Sequence, residues 1–399
     1  MWADHAIWWQ VYPLGFTGAE PTAQRAVTQR LPQLENWLDY LVELGCSGLL
    51  LGPVFASETH GYDTIDHFQI DPRLGDDADF DRLVAKAHAR GIRVALDGVF
   101  NHVARSFAGP HEWFRGTDTF EGHEHLVALD HSRPEVAQYV GDVLKHWLAR
   151  GVDAWRLDAA YAVPAEFWRS VLPRAEYPDA WYFGEVIHGD YAGYVAKSGL
   201  DSITQYELWK AIWSSLNDGN FFELSYALGR HNALLDTFVP QTFVGNHDVT
   251  RIATKLTDDR HLGHALAILF LVAGIPSVYA GDEQAFRGLK EDRAGGDDAI
   301  RPAFPPTPDK LAPDGRPTYR LHQDLIGLRR RNAWLTRART TVEHLTNQTL
   351  ALRSTHDDAS VLLLLNVSDE EQIFPLPDRP AVPPHSWSLT ASDGFHLVG

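Results

Sequence analysis

The sequence predicts an α/β chain of the (β/α)8 barrel class with a small antiparallel β domain behind it, on three observations. Eight short apolar runs alternate with amphipathic helical patterns as far as about residue 338. Four of those runs end at an acidic residue. Beyond about residue 340 the hydrophobic period changes from that of a helix to the alternation of antiparallel strands.

The elements follow in order. Residues 7–11 read as the first strand. Leu34, Trp37, Leu38, Leu41 and Leu44 then make a helical stripe that Gly45 ends. Residues 48–53 are a continuous apolar run, as a parallel strand covered on both faces requires. Phe80, Leu83, Val84 and Ala87 mark the next helix, which stops at Gly91, and residues 92–96 form the third strand, ending at Asp97. From 103 to 131 the alternation lapses. This stretch is rich in Gly, His, Asp and Glu and too long for an ordinary βα connection, so it reads as an insertion.

Ser132-Arg133-Pro134-Glu135 is expected to reopen a helix through a capping box, with Val136, Val140, Val143, Leu144 and Trp147 on its buried face and Gly151 as its stop. The fourth strand is 151–158, and later strands are expected at 181–183, 202–206, 242–244 and 277–280. Residues 262–272 are the clearest helix between them, and about 319–331 is the last. Residues 349–353 and 361–367 read as strands joined at His356-Asp357-Asp358-Ala359, with a Pro-rich segment and a short final strand after them. The expected domains are a barrel over 1–102 and 132–338, an inserted segment over 103–131 and a C-terminal β domain over 339–399.

A net charge of −18 repels the phosphates of nucleic acid and anionic membranes, which leaves a neutral partner as the expectation. Thirteen Trp and thirteen Tyr suit sugar rings as well as a core. With Cys46 alone, no intrachain disulfide can form. MWADHAIWWQVYP has neither a basic n-region nor an apolar h-region, and no run approaches the roughly 18 apolar residues of a membrane span. The expected compartment is the cytoplasm.

The chemistry is organised around Trp155-Arg156-Leu157-Asp158. On a strand, Arg156 and Asp158 project to one face, a pair that is costly to bury without partners. Asp97, Asp158, Glu185 and Asp248 all stand at strand ends, spaced by multiples of a βα unit of roughly 30 residues, so they should converge on one rim. Such a set could bind a divalent metal or hydrolyse a glycosidic bond. Arg156 favours the second, because a guanidinium keeps Asp158 ionised as a nucleophile and repels a cation. Glu185, among negative neighbours, is the expected proton donor.

At these residues the sequence resembles the α-amylase family of retaining glycoside hydrolases. The motifs stand as Asp97-Gly98-Val99-Phe100-Asn101-His102, Trp155-Arg156-Leu157-Asp158, Phe183-Gly184-Glu185 and Val244-Gly245-Asn246-His247-Asp248, supported by Gly61-Tyr62-Asp63 and the stretch from Gly274 to Glu283. The resemblance implies that Asp158 is the nucleophile, Glu185 the acid/base and Asp248 the residue that grips sugar hydroxyls. It implies that Arg156 orients Asp158, Asp97 holds Arg156, Tyr62 stacks beneath the sugar, and His102 and His247 hydrogen-bond to it. Asp63 and Arg251 are pocket-wall candidates.

The stretch His60-Gly61-Tyr62-Asp63-Thr64-Ile65-Asp66, together with Phe120-Glu121-Gly122 and Arg251, is most similar to the neopullulanase, cyclomaltodextrinase and maltogenic amylase branch. The implied substrates are maltooligosaccharides, cyclodextrins or starch-type glucans, cut at α-1,4 bonds. An α-glucosidase or transglycosylase on the same scaffold is the alternative, and a non-catalytic sugar-binding relative a third. That branch carries an N-terminal dimerising domain, whereas here the first strand begins near residue 7, so a monomer is expected. His123 stands where an aromatic residue is usual. No cofactor is expected to be required. Asn101 and Asp130 match positions that hold a structural Ca²⁺ in many α-amylases, with Ala162 in place of a His. His111, Glu112, His123, Glu124 and His125 match no metal-ligand spacing and read as a solvated loop.

Overall fold

A computed structural model describes residues 1–293 and 295–399. Two compact units are present, one of residues 8–204 and 301–311, the other of 1–7, 205–300 and 312–399.

In the first unit six strands lie side by side in chain order, every neighbouring pair parallel: β1 (Trp8–Val11), β2 (Gly48–Leu51), β3 (Arg93–Gly98), β4 (Ala154–Leu157), β5 (Trp181–Gly184) and β6 (Ser202–Ile203). Helices connect them, among them Asp77–His88 and Pro134–Ala149. Because both faces of such a sheet are covered, β1, β2, β4 and β5 are buried along their whole length. Register then places the chemistry: Asp97 of β3 is paired with Arg156 of β4, and Arg156 with Phe183 of β5. Paired residues of parallel strands share a face, so Asp97 and Arg156 must meet.

Local structure departs from expectation at three places. The stripe from Leu34 to Leu44 forms two helices, Leu31–Glu35 and Leu38–Leu44, rather than one. The capping box at Ser132 does not form. Pro134 takes the first helical position, which makes Arg133 the N-cap, and the Ser132 hydroxyl bonds to Asp130 at 2.6 Å instead. A hairpin that the sequence reading passed over, Phe55–Ser57 with Thr64–Ile70, holds Tyr62 and Asp63 in its loop after Gly61, whose φ of 88° only Gly takes up without strain. The lapse at 103–131 is a small antiparallel sheet in which His123–Leu129 runs between Phe114–Phe120 and His102–Ala104.

In the second unit β7 (Gln241–Phe243) and β8 (Ile275–Tyr279) pair in parallel, with helices Tyr206–Asp218, Phe221–Leu234, Leu262–Leu271 and Arg316–Arg331. Five antiparallel strands follow as one sheet in chain order: β9 (Arg339–Leu345), β10 (Thr349–His356), β11 (Ala359–Asn366), β12 (Ser386–Ala391) and β13 (His396–Val398). Period-two alternation sorts its side chains. Leu350, Leu352, Leu363 and Leu365 are fully buried, while Ala351 and Leu364 pack with Phe374 and Val382. The expected turn at His356 is present, with Asp357 in the left-handed region that a two-residue hairpin loop needs. No helix among the described residues is long and apolar enough to cross a membrane.

Candidate active site

The first unit gathers Asp97, Arg156, Asp158, Glu185 and Tyr62 around one guanidinium. Nη1 of Arg156 donates to both oxygens of Asp97 at 2.7 Å and to Oδ1 of Asp158 at 3.1 Å, while Nη2 lies 2.8 Å from Oε1 of Glu185. The Tyr62 hydroxyl donates to Oδ2 of Asp97 at 3.0 Å. Asp158 and Glu185 are the first residues past β4 and β5, and their amides are tied to Gly98 and Leu157 of the neighbouring strands.

All four charged groups are at least nine-tenths buried: Asp97 is 0% exposed, Arg156 3%, Asp158 6% and Glu185 7%. Burial works against the charge of Arg156, but Asp97, Glu185, Tyr62 and Asp158 outweigh it and hold the guanidinium well above its ordinary pKa. The cation is permanent. Glu185 therefore has a positive partner of its own, a contact that the sequence reading gave to Asp97 and Asp158 alone.

Glu185 Oε2 accepts from the amide of Ala159 at 3.1 Å, and Ala159 has φ +43°, an uncommon conformation for a residue other than Gly. The backbone right after Asp158 is thus turned so that its N–H serves the other carboxylate. His102 is 1% exposed, its ring stacked on Phe120 at 4.3 Å, with Nδ1 against the Asn101 amide at 3.2 Å. Burial pushes its pKa down to about 3, so the ring is neutral. Its Nε2 is buried, and the ring also faces the backbone of Tyr62. Asp63 accepts from Thr59, and its second oxygen is buried without a partner among the described residues.

The second unit holds the other residues expected from the sequence. Past β7, Asn246 accepts from the amide of Asp248 at 2.8 Å and is itself fixed by the Tyr206 hydroxyl at 2.9 Å. His247 Nε2 lies 2.9 Å from Asp248, whose side chain is 27% exposed. Arg251 is fully buried, paired with Asp282 at 2.8 Å and seated over the Tyr279 ring at 4.3 Å. This is the surrounding of a structural ion pair. Burial raises the Asp282 pKa to about 6 against the opposing pull of Arg251. A carboxyl whose folded pKa is raised stabilises the fold fully below its unfolded value, about 3.9, and loses that contribution as pH rises through the folded one. The stability advantage of wild type over Asp282→Asn should accordingly shrink from pH 4 to pH 6.5, which paired thermal melts across that range would read.

The Alpha amylase, catalytic domain family model matches residues 10–122 and 120–348. The chain belongs to the α-amylase family. Its members are retaining glycoside hydrolases, and this chain is an enzyme of that class. Neopullulanase 2 of Thermoactinomyces vulgaris is 30% identical over 93% of this chain and 71% of its own length. A cyclomaltodextrinase of Geobacillus thermopakistaniensis is 28% identical over 94% and 71%. Among solved structures, the cyclic α-maltosyl-(1→6)-maltose hydrolase of Arthrobacter globiformis superposes with a TM-score of 0.83 at 24% identity, covering 98% of this chain and 99% of that one. The last likeness is one of fold: the (β/α)8 barrel of the α-amylase family with a C-terminal antiparallel sheet, as the sequence predicted.

Two residues of this amylase site escaped the sequence. Tyr161 donates to Glu121 of the inserted hairpin at 2.8 Å, and its hydroxyl is held protonated by burial and by Glu121, Glu185 and Asp158. Arg301 lies over the Tyr12 ring at 4.6 Å and 5.9 Å from that of Tyr62. Neither stands in a motif or at a strand end, so no local pattern marks them. Ca²⁺ takes about six to eight oxygens. Asp130 is engaged by Ser132 and by Arg133 at 3.3 Å, Nδ2 of Asn101 faces His102, and Ala162 offers only its backbone carbonyl. These residues supply fewer oxygens than the ion takes.

Proposed function

We propose that this α-amylase-family enzyme hydrolyses α-1,4 bonds of maltooligosaccharides, cyclodextrins or starch-type glucans through a covalent glycosyl-enzyme. The observation that carries the reading is the single buried guanidinium of Arg156 shared by Asp97, Asp158 and Glu185. It keeps Asp158 anionic for attack on the anomeric carbon, while Glu185, on the other nitrogen, protonates the leaving oxygen and then activates water. Asp97 acts through Arg156 and orients it. Asp248, with His247 beside it, grips sugar hydroxyls and favours the oxocarbenium-like ring. The neopullulanase and cyclomaltodextrinase relatives support the substrate class.

Tyr62 is the stacking platform and Asp63 a pocket-wall residue, while Arg251 serves the fold through its pair with Asp282. Neutral His102 is the donor to a sugar hydroxyl through Nε2. His102→Asn should raise KM roughly tenfold with a smaller change in kcat, read from initial rates on maltoheptaose. No cofactor enters the mechanism; of the family's calcium positions, Asp130 is held by Ser132 and Arg133. The same reading takes the chain as a cytoplasmic monomer whose domains divide at 103–131 and 339.

The test is the product profile from maltoheptaose and β-cyclodextrin, resolved by chain length and anomer. Shorter products of retained α-configuration are expected. Products longer than the substrate would point to transglycosylation, glucose alone to an α-glucosidase, and inverted products would overturn the mechanism.

A further inference from the structure

In the second unit, three side chains able to ligate a metal converge: Asp258, His261 and His385. Asp258 precedes the 3-10 turn Asp259–His261, and in such a turn residues three apart eclipse, so Asp258 and His261 project to one side. His385, just before β12, reaches them from the C-terminal sheet. His261 Nε2 lies 3.0 Å from His385 Nδ1, and His385 Nδ1 lies 3.9 Å from Asp258 Oδ2. The three donor atoms all fall within 4.8 Å of one another.

Neighbouring groups complete the arrangement. Nε2 of His385 is 2.8 Å from Asp369, which fixes the tautomer so that Nδ1 presents its lone pair to the cluster. A carboxylate behind a ligating imidazole is the usual way in which proteins orient a metal-bound His. Both oxygens of Asp258 also accept from Arg260, Oδ1 from its amide and Nε and Oδ2 from Nε and Nη2. An ion here requires the Arg260 side chain, which is 59% exposed, to swing off Oδ2 and free a lone pair toward the imidazoles.

We propose that Asp258, His261 and His385 bind one divalent transition-metal ion, Zn²⁺ by donor chemistry, and so clip the C-terminal sheet to the start of helix Leu262–Leu271. Two imidazoles and one carboxylate form the donor set of a four-coordinate zinc site with one open position; Ca²⁺ or Mg²⁺ would need more oxygens. Tetrahedral ligands about 2.05 Å from zinc stand about 3.3 Å apart, so the two imidazoles need separate by only a few tenths of an ångström. The ion replaces the proton that the imidazole pair now shares.

The experiment is titration of the chelator-stripped full chain with ZnCl2 against a chromogenic chelator, followed by thermal unfolding. One tight equivalent per chain is expected, together with a raised unfolding midpoint. His385→Asn should abolish the tight step. Asp369→Asn, on a side chain 94% exposed and so harmless to folding, should weaken it about tenfold. Both variants should keep wild-type turnover of maltoheptaose in chelator, since neither residue belongs to the active site. Exchanging His123 and His125 of the inserted hairpin for Asn should leave the tight step intact. The proposal is overturned by a wild type without a tight equivalent, by a step unchanged in the His385 and Asp369 variants, or by one lost with the hairpin histidines.

Discussion

Asp158→Asn is expected to lower kcat on maltoheptaose by about 10⁴-fold or more while the protein stays folded. An amide cannot attack the anomeric carbon, so no glycosyl-enzyme forms, yet it still accepts from Nη1 of Arg156 through its oxygen, which preserves the local geometry. Glu185→Ala should fail differently. Without an acid, natural substrates with poor leaving groups stall, but α-maltosyl fluoride needs no protonation to depart and should still form the covalent intermediate. Equal loss on both substrates in the Glu185 variant, or near-normal turnover in the Asp158 variant, would refute the division of roles.

Arg156→Met should have the largest effect on stability. The guanidinium is 3% exposed and holds Asp97, Asp158 and Glu185 together, so its removal leaves buried carboxylates without a cation. Breaking a buried ion pair from one side costs about 3–5 kcal/mol. The unfolding midpoint should fall accordingly, and kcat should collapse with it. The deficit should narrow as pH falls: without Arg156 the buried carboxyls titrate at a higher pH in the folded state, and their protonation relieves the repulsion. Arg156→Lys should rescue only part, because one ammonium cannot serve Asp97 and Glu185 through separate nitrogens. A midpoint unchanged in Arg156→Met would mean that the cluster contributes nothing to the fold.

What the chain disclosed in advance follows from the range of the forces involved. Alternation of apolar runs with 3.6-period stripes is local, so the strands that carry Asp97, Arg156, Asp158 and Glu185 were legible, and parallel register then brought Asp97 to Arg156. The tie from Arg156 to Glu185 was not, because it depends on how one side chain forks between two strand ends. Arg301 was invisible for a similar reason, since it reaches Tyr12 and Tyr62 across a long stretch of sequence, and Tyr161, in the turn just past Asp158, repeats no local pattern. The Ser132 cap failed because two local rules competed and the fixed φ of Pro134 prevailed. The pairing of His385 with His261 spans 124 positions and no periodicity could have announced it.

Ala159 carries a consequence for how this enzyme can diversify. Its left-handed backbone aims an amide at Glu185, so Gly would be accepted there while Val, Ile or Thr would strain the turn. Mutational libraries aimed at new sugar preferences should leave position 159 small and vary the inserted hairpin around His123, where side chains are accessible, while sparing Glu121, whose own backbone is left-handed at φ +49°.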